Sequence, residues 1–251
     1  DETDDRGNEI TAPKLDDSGS LTAKGGGSNG SAGIGGSTGE STGNIIIEGY
    51  ATVDAAGSGS GAGIGGGGSL GGRSGNAEKI TIQGHSKVTA TATVGAAIGG
   101  GGASWGNTYY GGSAKGIVIR DHATVVANGG SRDGGSGWGA AIGAAGNKDT
   151  EAEVIIGTPG ATAATGDVNV TASGLYGSAI GSGTKDTKVT IQGNATIRME
   201  SRRNSTAIGS NYGDVEVNIK DNVTIDAKDE GTSIRYEGGG SSIGGGDIRG
   251  D

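Results

Sequence analysis

The sequence predicts an all-β fold, a right-handed, single-stranded parallel β-helix of about seven coils with three short strands each. Three observations predict it. A short glycine motif recurs seven times along the chain. Two runs of alternating Ile, Val and Thr lie between successive copies. Glycine supplies 59 of 251 residues, in phase with that long repeat and not at every third position, which excludes a collagen helix.

The motif reads SAGIGGS around Ile34, GAGIGGG around Ile64, GAAIGGG around Ile98 and GAAIGAA around Ile142. It returns as GSAIGSG around Ile180, STAIGSN around Ile208 and SSIGGG around Ile243. The steps between these isoleucines are 30, 34, 44, 38, 28 and 35 residues. A near-constant step with variable insertions is the signature of a solenoid whose coils carry loops of different length. Between the motifs stand NIIIEGYATVDA (residues 44–55), KITIQGHSKVTA (79–90), GIVIRDHATVVA (116–127), KVTIQGNATIRM (188–199) and EVNIKDNVTIDA (216–227). The remaining unit is split into EVIIG (153–157) and DVNVTA (167–172) by the insertion TPGATAATG. Each unit holds two runs of period-two alternation rich in β-branched residues, the strand signature, with Gly, Asp or another short polar residue where a sharp turn must fall.

Alternation sets the faces. In the first strand, pairs such as Ile80 and Ile82, or Ile117 and Ile119, point inward. In the second, Val53, Val88, Val125, Ile197 and Ile225 do so, and in the glycine motif the Ile and the small residue two before it. Like strands then stack in parallel at about 4.8 Å, with the right-handed crossover that parallel connections adopt. Residues 1–22 read as a lead-in or cap and residues 23–251 as the β-helix, an excerpt of a longer chain.

Composition narrows the function classes. The chain has no Cys, so disulfide frameworks and thiolate chemistry are excluded. A net charge of −9 argues against a nucleic-acid partner. No apolar run approaches the ~20 residues of a membrane-spanning helix, so no membrane insertion is expected. The acidic start, Asp1 to Asp5, is unlike a basic secretory leader.

Three columns of the alignment stand out. The turn between the first two strands carries Tyr50, His85, His122, Asn194 and Asn222, which reads as a corner ladder of stacked rings and amides, with a histidine acid–base or metal pair as the alternative. Each motif Ile is followed by Gly and preceded by Gly, Ala or Ser, so one side of the rod should be nearly bare of side chains. Such a glycine is needed either for a positive φ or for close approach of another surface. The outward column of the first strand, Ile46, Thr81, Val118, Ile155, Thr190 and Asn218, is half apolar. It calls for a cover, either the N-terminal stretch Ile10 to Leu15 or a second molecule, that is, self-association.

At GAGIGGG (Gly61–Gly67) and KITIQGHSKVTATA (Lys79–Ala92) the chain resembles the glycine-rich repeats of large secreted or wall-anchored surface proteins of Gram-positive gut bacteria, described as adhesin-like or carbohydrate-binding. The resemblance covers about residues 20 to 250. It implies an extracellular parallel β-helix at the bacterial cell surface, with a host or environmental glycan, or a host surface protein, as partner.

The leading expectation is a non-catalytic binding or spacer module. All eight aromatics are Trp or Tyr, types that stack on sugar rings and tolerate water. The candidate glycan-contacting residues are Trp105, Tyr109 and Tyr110 in one loop, with Trp138 and Tyr176 each four residues before a motif Ile. An enzyme acting on an acidic glycan is the alternative. It needs paired carboxylates or a base beside a Ca²⁺ cluster. The densest acidic set, Asp226, Asp229 and Glu230, reads as one loop without a facing partner, and Arg202 and Arg203 as solvated. An ice-binding solenoid would need a regular threonine array. Its candidate row Thr52, Lys87, Thr124, Asn169, Thr196 and Thr224 is broken by Lys87 and Asn169. No nucleotide-loop ending and no RTX calcium series recurs, so no cofactor is expected beyond an incidental Ca²⁺ at an acidic loop.

Overall fold

The structure, a computed structural model, describes residues 18–28, 30–103, 110–130, 139–146, 149–182, 185–202, 206–210, 213–230 and 243–245. Every regular element in it is a strand. The first coil has β1 (Ser20–Lys24) and β2 (Ile34–Gly35). The second is β3 (Thr42–Ile47), β4 (Thr52–Ala56) and β5 (Ile64–Gly65), and the third β6 (Ala77–Ile82), β7 (Lys87–Thr91) and β8 (Ile98–Gly99). The fourth is β9 (Ala114–Ile119), β10 (Thr124–Gly129) and β11 (Ile142–Gly143). The fifth is β12 (Ala152–Ile156), β13 (Asp167–Gly174) and β14 (Ile180–Ser182), and the sixth β15 (Thr187–Ile191), β16 (Asn194–Arg202) and β17 (Ile208–Ser210). The seventh is β18 (Val215–Ile219), β19 (Asn222–Glu230) and β20 (Ile243–Gly245).

Each strand pairs in parallel with its counterpart one coil away, which builds three sheets. The isoleucine sheet runs β3-β6-β9-β12-β15-β18, the threonine sheet β1-β4-β7-β10-β13-β16-β19, and the glycine sheet β2-β5-β8-β11-β14-β17-β20. The chain is a three-sided parallel β-helix of about seven coils. The inward columns fall as alternation requires. Ile82, Ile119, Ile156 and Ile191 stack on one another, as do Val88, Val125, Val170 and Ile197, and Ile98, Ile142, Ile180 and Ile208. All are buried. Burying one such side chain contributes about 1.5–3 kcal/mol, against about 0–1 kcal/mol for a surface ion pair. The aliphatic ladders therefore hold the coils together, and the four surface ion pairs among the described residues add little. Ile219 continues the inward column on Ile191 and is 47% exposed because β18 is the last strand of its sheet.

Corners are fixed by residue type. Gly49, Gly84, Asp121, Gly193 and Asp221 all turn with φ between +63° and +73°, a region that Gly, Asn and Asp enter at least cost. Beside them the expected corner ladder forms. Tyr50 stacks on His85 with centroids 4.7 Å apart, and His85 on His122 at 4.5 Å. The structure adds a member that the broken fifth unit concealed. Asp167 donates its backbone N–H to His122 Nδ1 and accepts from the Asn194 amide at 3.3 Å, and Asn194 accepts from Asn222 at 2.7 Å.

The glycine sheet corrects one expectation. Gly35, Gly65, Gly99, Gly143, Gly181, Gly209 and Gly244 have φ between +128° and +140°. A Cβ on any of the first six would run into the carbonyl oxygen of the glycine one coil further on. Both explanations for glycine hold, and the approaching surface is the next coil itself. The outer side is not bare, because the loops fold over it. Gly67 donates to the Glu40 carbonyl, Gly75 to Gly67, Gly101 to Gly75, Gly112 to Gly101 and Ala145 to Gly112, at 2.7–3.0 Å. Departing and returning loop limbs thus interleave, and the limbs are glycine because a side chain at Gly75 or Gly112 would strike a neighbouring backbone.

Two further features were not foreseen. Asn44, Lys79 and Gly116 form a stacked β-bulge with φ of +56°, +54° and +72°, absent from β12, where the register shifts. A side-chain ladder also leads into the isoleucine sheet. Ser41 Oγ accepts from the Asn76 N–H, Asn76 Oδ1 from Ser113 N–H and Ser113 Oγ from Glu151 N–H, at 2.9–3.2 Å.

Candidate functional site

Two of the expected aromatic residues, Tyr110 and Tyr176, stand at opposite margins of the glycine sheet. Tyr110 lies where the chain leaves that sheet for the isoleucine sheet, and Tyr176 where it arrives from the threonine sheet. Trp105, Tyr109 and Trp138 lie outside the described residues. Tyr110 is half-buried and firmly placed. Ser69 bridges Ala103, Ser74 donates its N–H to the Tyr110 carbonyl at 2.9 Å, and Ser74 Oγ donates to the Gly102 carbonyl at 2.7 Å. The Arg73 guanidinium sits 4.8 Å from the centre of the Tyr110 ring, a cation–π contact. The loops of the second and third coils thus form one preorganised pair. Tyr176 is half-buried and also held by contacts with its surroundings.

The broadest regular surface is the outer face of the threonine sheet. Three rows face outward in register. One is the row already noted, Thr52, Lys87, Thr124, Asn169, Thr196 and Thr224. The second is Thr22, Asp54, Thr89, Val126, Thr171, Arg198 and Asp226. The third is Lys24, Ala56, Thr91, Asn128, Ser173, Glu200 and Lys228. Hydroxyls and amides dominate the third to fifth coils, and charges the ends. Over the last three coils this face dips into a groove of about 430 Å³. Its polar lining is Thr171, Ser173, Arg198, Glu200, Asp226 and Lys228. Arg198 stands across from Asp226, and Glu200 across from Lys228.

This groove revises the reading of the acidic set. Asp226, Asp229 and Glu230 lie on strand β19, not on a loop, and each has a register partner, Arg198, Ser201 and Arg202. The signal was present in the sequence. Alternation continues through Glu200 and Lys228, past Met199 and Ala227, which end the aligned units, so the strands of the last two coils are longer.

A second hollow, of about 560 Å³, lies at the foot of the isoleucine sheet between Lys115, Glu151, Glu153, Asp186, Lys188 and Glu216. Both of its lysines are paired. Lys115 pairs with Glu151 at 2.9 Å and Lys188 with Glu216 at 3.3 Å. The Lys115 hydrogen bond holds the Glu151 carboxyl below the ordinary range, and the Asn218 amide, then Lys188, do the same for Glu216. Both carboxyls stay ionised near neutrality, as fixed charges. The stacked histidines use their faces on each other and one ring nitrogen as an acceptor, as a structural ladder requires.

No family model matches the chain, and neither a curated protein nor a solved structure matches it.

Proposed function

We propose that the chain is a non-catalytic extracellular module of the bacterial cell surface, a rigid rod that binds an extended glycan along its threonine sheet. The observation that carries this reading is the register of that sheet's outer face. Its donors and acceptors repeat at about 4.8 Å along the rod and about 6.6 Å across it, on a backbone tied by parallel strand pairing on both sides. A polyhydroxylated chain laid along such a face meets hydroxyls, amides and both signs of charge in fixed positions. The ordering cost is met in advance by the solenoid. The Arg73–Tyr110 loop pair offers a stacking surface at the margin of the neighbouring sheet.

The test is a glycan array followed by affinity measurement on the best ligand. Arg198→Ala with Asp226→Ala should weaken binding by about tenfold or more with unchanged melting. Trp105→Ala with Trp138→Ala reports whether the loop aromatics contribute. If no glycan binds, or the groove variant binds as the parent does, the reading fails. The competing reading, an enzyme on an acidic glycan, draws on Arg198 facing Asp226. New chain ends in a uronate polymer incubated with the protein, lost on Arg198→Ala, would replace the first reading with it.

A further inference from the structure

The outer face of the isoleucine sheet is organised as a stripe with two rims. The stripe is Ile46, Thr81, Val118, Ile155, Thr190 and Asn218, aligned across six strands. Ile46 is 55% exposed, and the other five are half-buried. One rim, at the start of the strands, carries Gly43, Glu78, Lys115, Glu153, Lys188 and Glu216. The other follows the strands with Glu48, Gln83, Arg120, Gly157, Gln192 and Lys220, each donating its N–H to the preceding coil from Gln83 onward. A half-apolar stripe between two charged rims has the layout of a small, polar protein interface.

We infer that this face pairs with the same face of a second copy, the two rods antiparallel, about a two-fold axis that passes between Val118 and Ile155. The charge order points to that occupant. A two-fold axis lying along the strand direction keeps each rim against itself and reverses the order of the coils, as an isologous contact must. The second coil then meets the seventh, the third the sixth and the fourth the fifth. Glu78 meets Lys188, and Lys115 meets Glu153. On the other rim Glu48 meets Lys220, Gln83 meets Gln192, and Arg120 meets Gly157, which leaves room for the long side chain. In the stripe, Val118 meets Ile155 and Thr81 meets Thr190. No like charges oppose one another. A parallel pairing would instead set Arg120 against Lys115 on the fourth coil.

Lys115 and Lys188 already hold Glu151 and Glu216 within the chain. Docking adds a second carboxylate to ammonium groups that have three donors each. The face measures about 17 Å by about 24 Å from strand rise and spacing, about 400 Å² per partner, which is below the size of a stable interface and in the range of weak, transient contacts. The dimer is therefore reversible and concentration-dependent. It leaves the threonine sheet free, so it stands independently of the glycan reading.

Sedimentation velocity over a concentration series of the full chain tests it. The parent should associate. E78K alone and K188E alone should each weaken association by about tenfold or more, because like charges then meet at two symmetric points. E78K combined with K188E should restore it, since the swapped pair is again opposite in sign. A second measurement uses the absence of native cysteine. Thr81→Cys with Thr190→Cys should give a disulfide-linked dimer on oxidation, the two sites being about 14 Å apart within one chain and out of reach of each other there. A parent that stays monomeric throughout, or a double charge variant no better than the singles, overturns the proposal. So does Thr81→Cys alone cross-linking as well as the pair, which would mean parallel rods. Stronger association on Ile10→Asp with Leu15→Asp would assign the stripe to the N-terminal segment and likewise overturn it.

Discussion

Gly99 sits at φ +139° with the Gly143 carbonyl where its Cβ would be. Replacing it with Ala imposes both backbone strain and a collision with another backbone, which cannot yield as a side chain can. Gly99→Ala should cost about 3 kcal/mol or more, whereas Gly71→Ala, with nothing within 4 Å, should change stability by no more than about 0.5 kcal/mol. Equal melting of the two variants would remove the close approach as the reason for the glycine. Ser86 poses the opposite case. Its hydroxyl is buried and finds no hydrogen-bond partner among the described residues, in a corner column otherwise built of alanine and valine. An unsatisfied buried hydroxyl costs about 1–3 kcal/mol, so Ser86→Ala should raise the melting temperature by about 2–4 °C or more. A lowered melting point would mean that a bound water satisfies the hydroxyl.

At the scale of strands and turns, what the sequence made legible was whatever repeats with a short period. The inward isoleucines and valines, the left-handed corner at Gly49, Gly84 and Asp121, and the Tyr50–His85–His122 stack all follow from alternation and residue type. The bulge at Asn44, Lys79 and Gly116 did not, because one extra residue ahead of an isoleucine looks like loop when each unit is aligned on that isoleucine. The cover over the glycine sheet was hidden for another reason. Interleaved loop limbs bond through backbone, which leaves no trace in the sequence beyond more glycine. The groove on the threonine sheet was missed because its charges, Arg198, Glu200, Asp226 and Lys228, resemble a solvated loop until β16 and β19 are extended past Met199 and Ala227. Ile142 tests the strand assignment directly. It is fully buried between Ile98 and Ile180 in adjacent coils. Ile142→Asp buries a charge without a partner, at a cost of several kcal/mol, and should unfold the middle coils. Thr124→Asp, outward on the same coil, should leave melting within about 1–2 °C. If both variants melt alike, the inward face of the glycine sheet has been misassigned.

The whole rod is a stack in which the strands of each coil pair only with those of its neighbours, the Gly160 N–H to Asp221 carboxylate bond at 3.1 Å reaching across two coils, so its stability is close to a sum of coil and interface contributions. A coil should then be removable in register. Deleting residues 77–113 joins Asn76 to Ala114, and every column closes on its own kind. Ile45 and Ile47 meet Ile117 and Ile119, Val53 meets Val125, and Ile64 meets Ile142. Tyr50 stacks on His122 in place of His85, and the bulge residue Asn44 lies beside Gly116, both with positive φ. Asn76 Oδ1, which now accepts from Ser113, meets the Glu151 N–H instead. The Gly75 carbonyl receives Ala145 N–H in place of Gly101, the role Ala145 already plays toward Gly112. The shortened chain should keep a β-type far-UV spectrum and a cooperative transition, at a lower temperature because one interface is lost. Removing Val118 as well, inside β9, puts the rest of that strand one place out of phase. A one-residue slip exchanges inward and outward faces. That chain should lose the transition or aggregate. If the in-register deletion also fails to fold, the coils are not the independent units that their parallel register describes, and the interleaved glycine loops, which span neighbouring coils, would be the element that cannot be cut.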